Sequence, residues 1–490
     1  MPVIFNSLRR VRNVNGVYDL IDRQDQPIER GISLHAKAMV LCTAVARISS
    51  RFGLWRRAAA LKWILLRVKP PSAAPSPMLT DQRTALKLRS FGFIIATVIV
   101  VVHLVIILHR RETHSGDFDV SREFGRRFVA GEELYTGGLH FPYMPAAAMF
   151  VAPLAMTNPT AAFLVRYAIA LAALWLALSL LNRMVSRDLP TASAHGFVIG
   201  AITLVLASHY IVRDLDDGGP HLILLGAIVT GIFLMSERRE LLGAGPIGFA
   251  IAQKATSGLF IAFFCWKHSW RFALLITMAT VAWMVLPAIR MGPAGWWHHQ
   301  SEWFGSSASL ALGRFPAAEF YYGTRRIENQ SLKAAVAAVA RFFSSDSGAA
   351  GDSWFVKLMP NLAIVLLLVL FCAKTRQRYQ SPGDPAFLLE SSAVMLVSLL
   401  LSPITWVQHL VLVLPALYLI VSEQIASRSL GTPALIAMGA YATLALLLTR
   451  DLIGKARYDV VLTLHAHTIA LLILLSILLF RRPTATLDDA

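Results

Sequence analysis

From about residue 91 to residue 480 the chain consists of apolar runs of roughly 16 to 22 residues, separated by short polar stretches, and that is the helix length needed to cross a hydrocarbon core of about 30 Å. No other feature constrains the fold so tightly. The runs lack the period-2 alternation of a membrane barrel, and lipid leaves helices as the way to satisfy so many backbone groups. Only 15% of the 490 residues are charged and 56% are hydrophobic, whereas an average soluble domain carries roughly a quarter charged residues. The expected fold is all-α, a polytopic membrane protein of about 10–12 transmembrane helices. Spans are expected near 91–109, 142–157, 160–181, 194–212, 221–236, 245–265, 270–290, 355–373, 386–403, 404–423, 433–449 and 460–480. Two of these are irregular. Pro142, Pro145, Pro153 and Pro159 interrupt the second, and Gly245, Pro246, Gln253 and Lys254 make the sixth unusually polar. Either is a re-entrant or broken segment, which is tolerated where it lines a cavity in the protein.

Basic residues in short loops set the orientation. Residues 1–90 hold 16 Lys/Arg against 5 Asp/Glu, so +11 of the formal net charge of +17 precedes the first span. That end is expected in the cytoplasm, with the loops carrying Arg183 and Arg187, Arg238 and Arg239, Lys267 and Arg271, and Lys374, Arg376 and Arg378, and with the tail 481–490 beginning at Arg481 and Arg482. Segments 110–141, 213–220, 291–353, the Ser402–Trp406 corner and 450–459 are left on the outer side, with Arg110 and Arg111 counting against that assignment. The charge suits anionic lipid head groups and, spread over membrane loops, excludes nucleic acid as a partner. Residues 51–69 alternate Arg51, Arg56, Arg57, Lys62 and Arg67 with Trp55, Leu61, Trp63, Leu65 and Leu66, the pattern of an interfacial helix. The run Pro70–Pro77 reads as a linker. The first thirty residues lack the apolar core of a signal peptide. Cys42, Cys265 and Cys372 imply neither a disulfide framework nor a metal site, and no metal-ligand, P-loop or dinucleotide motif occurs.

Candidate site residues lie where the membrane is left. Asp117 and Asp119 flank Phe118 directly behind the first span, and Ser121–Glu132 sets Phe124, Phe128 and Val129 on one face and Arg122, Arg126 and Arg127 on another. Such a helix lies in the interface and keeps Asp117 at the lipid boundary, where a carboxylate can serve as base while a lipid-borne substrate approaches sideways. The segment 291–353 carries Trp296, Trp297, His298, His299, Trp303, Tyr321 and Tyr322, which read as belt anchors, sugar platforms or walls for a lipid tail. An amphipathic helix with Lys333 and Arg341 follows Asn329-Gln330-Ser331, formally a glycosylation acceptor. Ionisable and polar groups within spans are functional candidates because lipid penalises them by at least ~2.5 kcal/mol: Arg166, Gln253, Lys254, Gln408 and His409. His465 and His467 read as interfacial. Asp214, Asp216 and Asp217 read as a solvated turn, and whether a divalent metal assists is left open.

These residues together resemble the GT-C-fold, polyprenol-phosphate-sugar-dependent mannosyltransferases of glycosyltransferase family 87. The resemblance rests on Asp117, Phe118, Val120, Gly125, Gly131, Tyr135, Phe141, Tyr143, Pro145 and Pro153, on Asn329-Gln330-Ser331-Leu332 followed by Arg341, and on Ser402-Pro403-Ile404-Thr405-Trp406-Val407-Gln408-His409. It departs from the family at Gly218-Gly219-Pro220-His221, where Gly-Gln-x-Asn is usual, at Lys254-Ala255-Thr256-Ser257 for Lys-x-x-Pro, and at Gln408-His409 for paired histidines. The resemblance implies a GT-C-type catalytic domain over 91–480 behind a basic cytoplasmic or interfacial extension, 1–90. It places the protein in the plasma (inner) membrane with an outward-facing site. It implies transfer of a hexose, mannose first, from a polyprenyl-phosphate-linked donor to a lipid or glycan acceptor, with inversion and no cofactor. Asp117 would be the general base and Asp119 the second carboxylate. Lys254, His409 and Arg341 would meet the donor phosphate, and Tyr135, Tyr143, Asn329, Gln330, Trp406 and Gln408 would bind substrate. No residue is assigned to a metal. The alternatives are a polytopic transporter or lipid flippase, with Gln253-Lys254 as a mid-membrane ion site, and a non-catalytic partner of envelope enzymes.

Overall fold

The computed structural model describes residues 97–110, 116–135, 143–311, 323–344, 353–378, 383–426 and 431–480. All described residues belong to one compact unit within Ser76–Ala490, and residues 1–75 lie outside the described residues. The interfacial helix at 51–69, the linker, Cys42, Arg111, Phe141, Pro142, Tyr321, Tyr322 and the tail 481–490 lie outside the described residues.

Every described element is helical. Four stretches are long and apolar enough to cross a membrane: α4 (Pro159–Asp188), α5 (Gly196–Asp217), α12 (Trp354–Lys374) and the continuous Val407–Ala426. The last of these is a 3-10 stretch, Val407–Val413, running into α14 (Leu414–Ala426). Two bent pairs raise the number to six. One is α9 (Trp270–Val285) with α10 (Ala288–Ala311), which turns by 96°, and the other is α16 (Lys455–Thr463) with α17 (Ala466–Phe480), bent by 54°. Shorter apolar helices occupy the other expected spans: α1 (Thr97–Arg110), α3 (Pro145–Ala155), α6 (His221–Ser236), α13 (Pro385–Leu401) and α15 (Thr432–Ala442). The protein is an all-α polytopic membrane protein. Burial separates inner from outer helices, since most of the apolar part of Val407–Ala426 is enclosed, 78% of it, against 22% for α12. On α12 Val365, Leu366 and Val369 are exposed, and on α1 Ile99, Val101 and Val105. Apolar faces of that extent are at ease only against lipid.

The two irregular spans resolve differently. Pro145 and Pro159 each take the first turn of a helix, where the absent N–H costs nothing. The proline-rich run is therefore no span: α3 has 11 residues, about 16 Å of helix, too short for the bilayer core. Its small residues Ala147, Ala148 and Ala152 pack against Phe124 and Phe128 of α2 (Asp117–Ala130), and Gly125 of α2 comes close to Ala152 and Ala155. The sixth span is broken at Lys254, which leaves α7 (Glu240–Gln253) in extended geometry before a 3-10 turn, Ala255–Gly258, and α8 (Leu259–Trp266).

The described parts of the segment 291–353 are mostly helical. α10 (Ala288–Ala311) is kinked at Gly292, whose φ of 72° suits glycine, and α11 (Leu332–Ser344) is the expected amphipathic helix with Arg341 in its last turn. Lys267 is not a loop charge. It is buried, donates to the carbonyl of Thr375 at 2.8 Å and to that of Gln377, and pairs with Glu390 at 2.8 Å, so it caps the end of α12, as a cation at a helix C-terminus does.

Candidate active site

The site is built where the start of α2 meets the turn between α5 and α6. Gly116 precedes α2, and Asp119 accepts a hydrogen bond from its backbone N–H at 3.0 Å, closing the first turn. Asp117 is the first helical residue, so its carboxylate sits at the positive end of the helix. Phe118 points inward, fully buried, with its ring edge-on to Phe163. The α5–α6 turn must come close beneath it. Gly218 ends α5 in left-handed geometry, φ 63°, and a Cβ there would lie 2.7 Å from Cβ of Phe118. A Cβ on Gly219 would collide with the Asp214 carboxylate. Only a glycine pair allows this approach.

Asp214 is the anchor of that turn. Buried in the last turn of α5, it accepts from the backbone N–H of His221 at 3.3 Å and of Leu222 at 3.0 Å, capping α6 from outside. The same carboxylate lies 2.8 Å from Nδ1 of His221, and Nε2 of that ring lies 2.9 Å from Nζ of Lys254. The donors order the line: Nδ1–H donates to Asp214, which leaves Nε2 to accept from the Lys254 ammonium. The helix break at Lys254 aims its side chain along this line. Arg166 donates to the Gly219 carbonyl at 2.5 Å, adding a second cation near Asp214.

The stretch Val407–Val413 closes the site. Nε2 of Gln408 donates to Oδ2 of Asp117 at 3.2 Å. His409 lies against His221, ring centroids 4.3 Å apart, and stacks on Trp406 at 6.1 Å, while its Nδ1 accepts from the Trp406 backbone N–H at 3.2 Å. One half-buried carboxylate, an amide, two imidazoles and a lysine thus converge from α2, α6, the α7 break and the Val407–Val413 turn. Burial raises the Asp117 pKa above the ordinary carboxylate range, opposed by the Gln408 hydrogen bond and by the charges of Arg213 and Lys254.

Of the residues expected in the site, Asp117, Lys254, His409, Gln408 and Trp406 come together. Asn329 and Gln330 do something else. The Asn329 amide donates to the carbonyls of Pro403 at 2.9 Å and Gly323 at 3.4 Å and accepts from the N–H groups of Ser331 and Thr405. Gln330 donates to the carbonyls of Ile327 and Leu462, at 2.7 and 2.9 Å, and accepts from the His467 N–H. Both are fully buried with every amide donor used, so they hold the Ser402–Trp406 corner in place, and Asn329 offers no surface to a glycosylating enzyme. Arg341 binds the Thr324 hydroxyl at 2.6 Å. Tyr135 donates to the Tyr143 carbonyl at 2.9 Å, and both pack on the α2–α3 contact.

The expected solvated turn at 214–217 is corrected. Asp214 is buried as described, Asp216 meets His103 at 3.1 Å, and Asp217 meets Arg213 at 3.2 Å, each with its own partner because α5 continues through all three. His467 is likewise not interfacial: it is buried at the α16–α17 bend, 3.3 Å from the hydroxyls of both Tyr210 and Tyr458. Asp214 and His221 escaped the sequence reading, although His221 stands where the sequence departs from the resembled motif, and so does Gln408. Gln408 contacts Asp117, and the His409 beside it contacts His221, so the departures meet in one place.

No curated protein matches the chain. The crystal structure of ArnT from Cupriavidus metallidurans bound to undecaprenyl phosphate is similar to it at 14% identity, with a TM-score of 0.36 and coverage of 80% of this chain and 78% of that one. The family model of glycosyltransferase family 87 matches residues 141–403, taking in His221, Lys254 and Asn329 and stopping between Asp117 on one side and Gln408 on the other. With more than half its length matched, the chain belongs to glycosyltransferase family 87.

Proposed function

We propose that the protein transfers a hexose, mannose first among candidates, from a polyprenyl-phosphate-linked donor to a hydroxyl of a lipid or glycan acceptor, with inversion at the anomeric carbon. The observation that carries this is the Asp117 carboxylate held by Gln408 beside the Lys254–His221–Asp214 line. Asp117 accepts the proton of the acceptor hydroxyl as its oxygen bonds to the anomeric carbon and the bond from that carbon to the phosphate oxygen breaks. The leaving lipid phosphate departs ionised, so it calls for cations and donors in place of a second acid. Lys254 supplies the charge, steadied by its bond to His221, and His409 supplies an imidazole on the same side. The buried Nε2 of Gln253, next to Lys254 and without a partner, is a further donor for the phosphate or sugar. Arg341, bonded to Thr324, serves the 323–331 segment, and Asp119 serves the helix cap. Substrate contact falls to Trp406, which stacks on His409, whereas Tyr135 and Tyr143 serve the α2–α3 contact.

Family membership favours this over a transporter or a non-catalytic partner. We place the protein in the inner (plasma) membrane, with the N-terminus in the cytoplasm and the site facing outward, on the strength of the basic-loop count. The donor class is supported by the family resemblance of the Asp117 and Ser402–His409 motifs.

The test is transfer by purified protein from labelled polyprenyl-phosphate mannose, with other sugar donors alongside. Asp117→Asn should lower turnover by about 10³-fold, within the span general-base loss produces, while the protein remains inserted and monodisperse. Normal transfer by that variant would remove Asp117 as the base.

A further inference from the structure

Behind α2 and away from the Asp117 cluster, four potential ligands converge on one point. Glu133, in the turn that follows Gly131, meets His298, His299 and Glu302 of α10, and one ligand atom from each lies within 4.8 Å of all the others. The separations are telling. Glu133 is 3.1 Å from Nε2 of His298 and 3.6 Å from Nδ1 of His299, and Glu302 is 3.7 and 3.5 Å from the same atoms. Three of these are too long for good hydrogen bonds. They fit four atoms sharing one ion, because ligands held about 2.1 Å from a tetrahedral centre stand roughly 3.4 Å apart.

A second observation is independent of the clustering. His299 has only 8% of its side chain exposed, and its Nδ1, which faces the two carboxylates, is buried with no hydrogen-bond partner, as is Oε2 of Glu302. Buried polar atoms are seldom left unpaired without a reason. An ion between them satisfies both at once.

We infer that Glu133, His298, His299 and Glu302 form a binding site for a divalent transition-metal ion of the zinc class. Two neutral imidazoles and two carboxylates are a nitrogen and oxygen set that suits zinc and leaves the site without net charge. Four protein ligands close the sphere, which marks a structural and not a catalytic centre. Glu133 and His298 are each 53% exposed, so the ion has a way in from solvent. The ion would tie the Gly131–Tyr135 turn to α10, where the Arg290 guanidinium already donates to the Val129 carbonyl at 2.5 Å, and so fix the far end of the helix that begins with Asp117. Tyr135, 6.3 Å from the His299 ring, would be held with it.

The test uses tag-free full-length protein in detergent, stripped with a chelator, exposed to zinc chloride and desalted before its zinc is counted by mass spectrometry. Wild type should retain about one zinc per chain and gain thermal stability from it. Glu302→Gln and His298→Gln should each weaken retention by more than about 100-fold, beyond what losing an outer-shell partner costs, and show no zinc-dependent gain. His298 is exposed enough for that variant to keep its fold. Failure of the wild type to retain zinc, or equal retention by both variants, overturns the site whatever reaction the protein catalyses.

Discussion

At the scale of single residues, the state of Asp117 sets the pH response. In the proposed role as base the side chain would act only when ionised, and burial lifts its pKa above the ordinary range. Activity should therefore fall as pH drops through that raised value, with the acidic limb of the kcat profile higher than an exposed aspartate would give. The Gln408 hydrogen bond favours the charged form, so Gln408→Leu should move the limb further up, and an unmoved limb would mean that another group controls it. His221 is the second residue whose role is measurable. Its ring both receives Lys254 and leans on His409, and His221→Phe keeps the ring while deleting the bonds. Losing a hydrogen bond to a charged group costs about 1.5–3 kcal/mol, so kcat/KM for the lipid-linked donor should fall by roughly 10- to 100-fold. Asp117, Lys254 and His409 were legible in the sequence because an ionisable group in or beside an apolar run stands out. Asp214 was not: in sequence it is one of three acids before two glycines, and only the folded turn shows it buried against His221, Leu222 and Gly219.

At the scale of elements, helix positions followed from hydropathy, but what each helix does depended on length and on polar side chains that hydropathy ignores. α3 occupies an apolar run yet is half a span, since Pro145 and Pro159 each start a new helix. The segment around Asn329 illustrates the opposite failure. Polar residues beside an outer helix pass for ligand contacts, whereas their amides are fully used in bonding backbone groups of distant segments. Asn329→Ala would leave the Pro403 carbonyl and the Thr405 N–H without their partner inside the protein, at about 1–3 kcal/mol for each group. A drop in melting temperature with loss of transfer is expected. If stability is kept and only the KM for substrate changes, Asn329 is a ligand contact after all.

At the scale of the whole molecule, the alternation of apolar runs and basic loops displayed the all-α membrane architecture, because lipid permits few other solutions. It did not display which helices lie inside, since an enclosed span and an exposed one both read as apolar runs long enough to cross a membrane; the contrast in burial between Val407–Ala426 and α12 emerges from packing. The Gln330 amide has a consequence on this scale. It grips the chain at Leu462 and His467, more than 130 residues downstream, while the neighbouring Asn329 grips Pro403 and Thr405. The last two helices therefore help to hold the segment that fixes the Ser402–Trp406 corner and are no mere appendage. A fragment trimmed where the family match ends, at residue 403, would discard Gln408 and the abutment together. Such a fragment should neither fold as a soluble-in-detergent unit nor transfer sugar, and adding back residues 404–480 as a separate polypeptide should restore both.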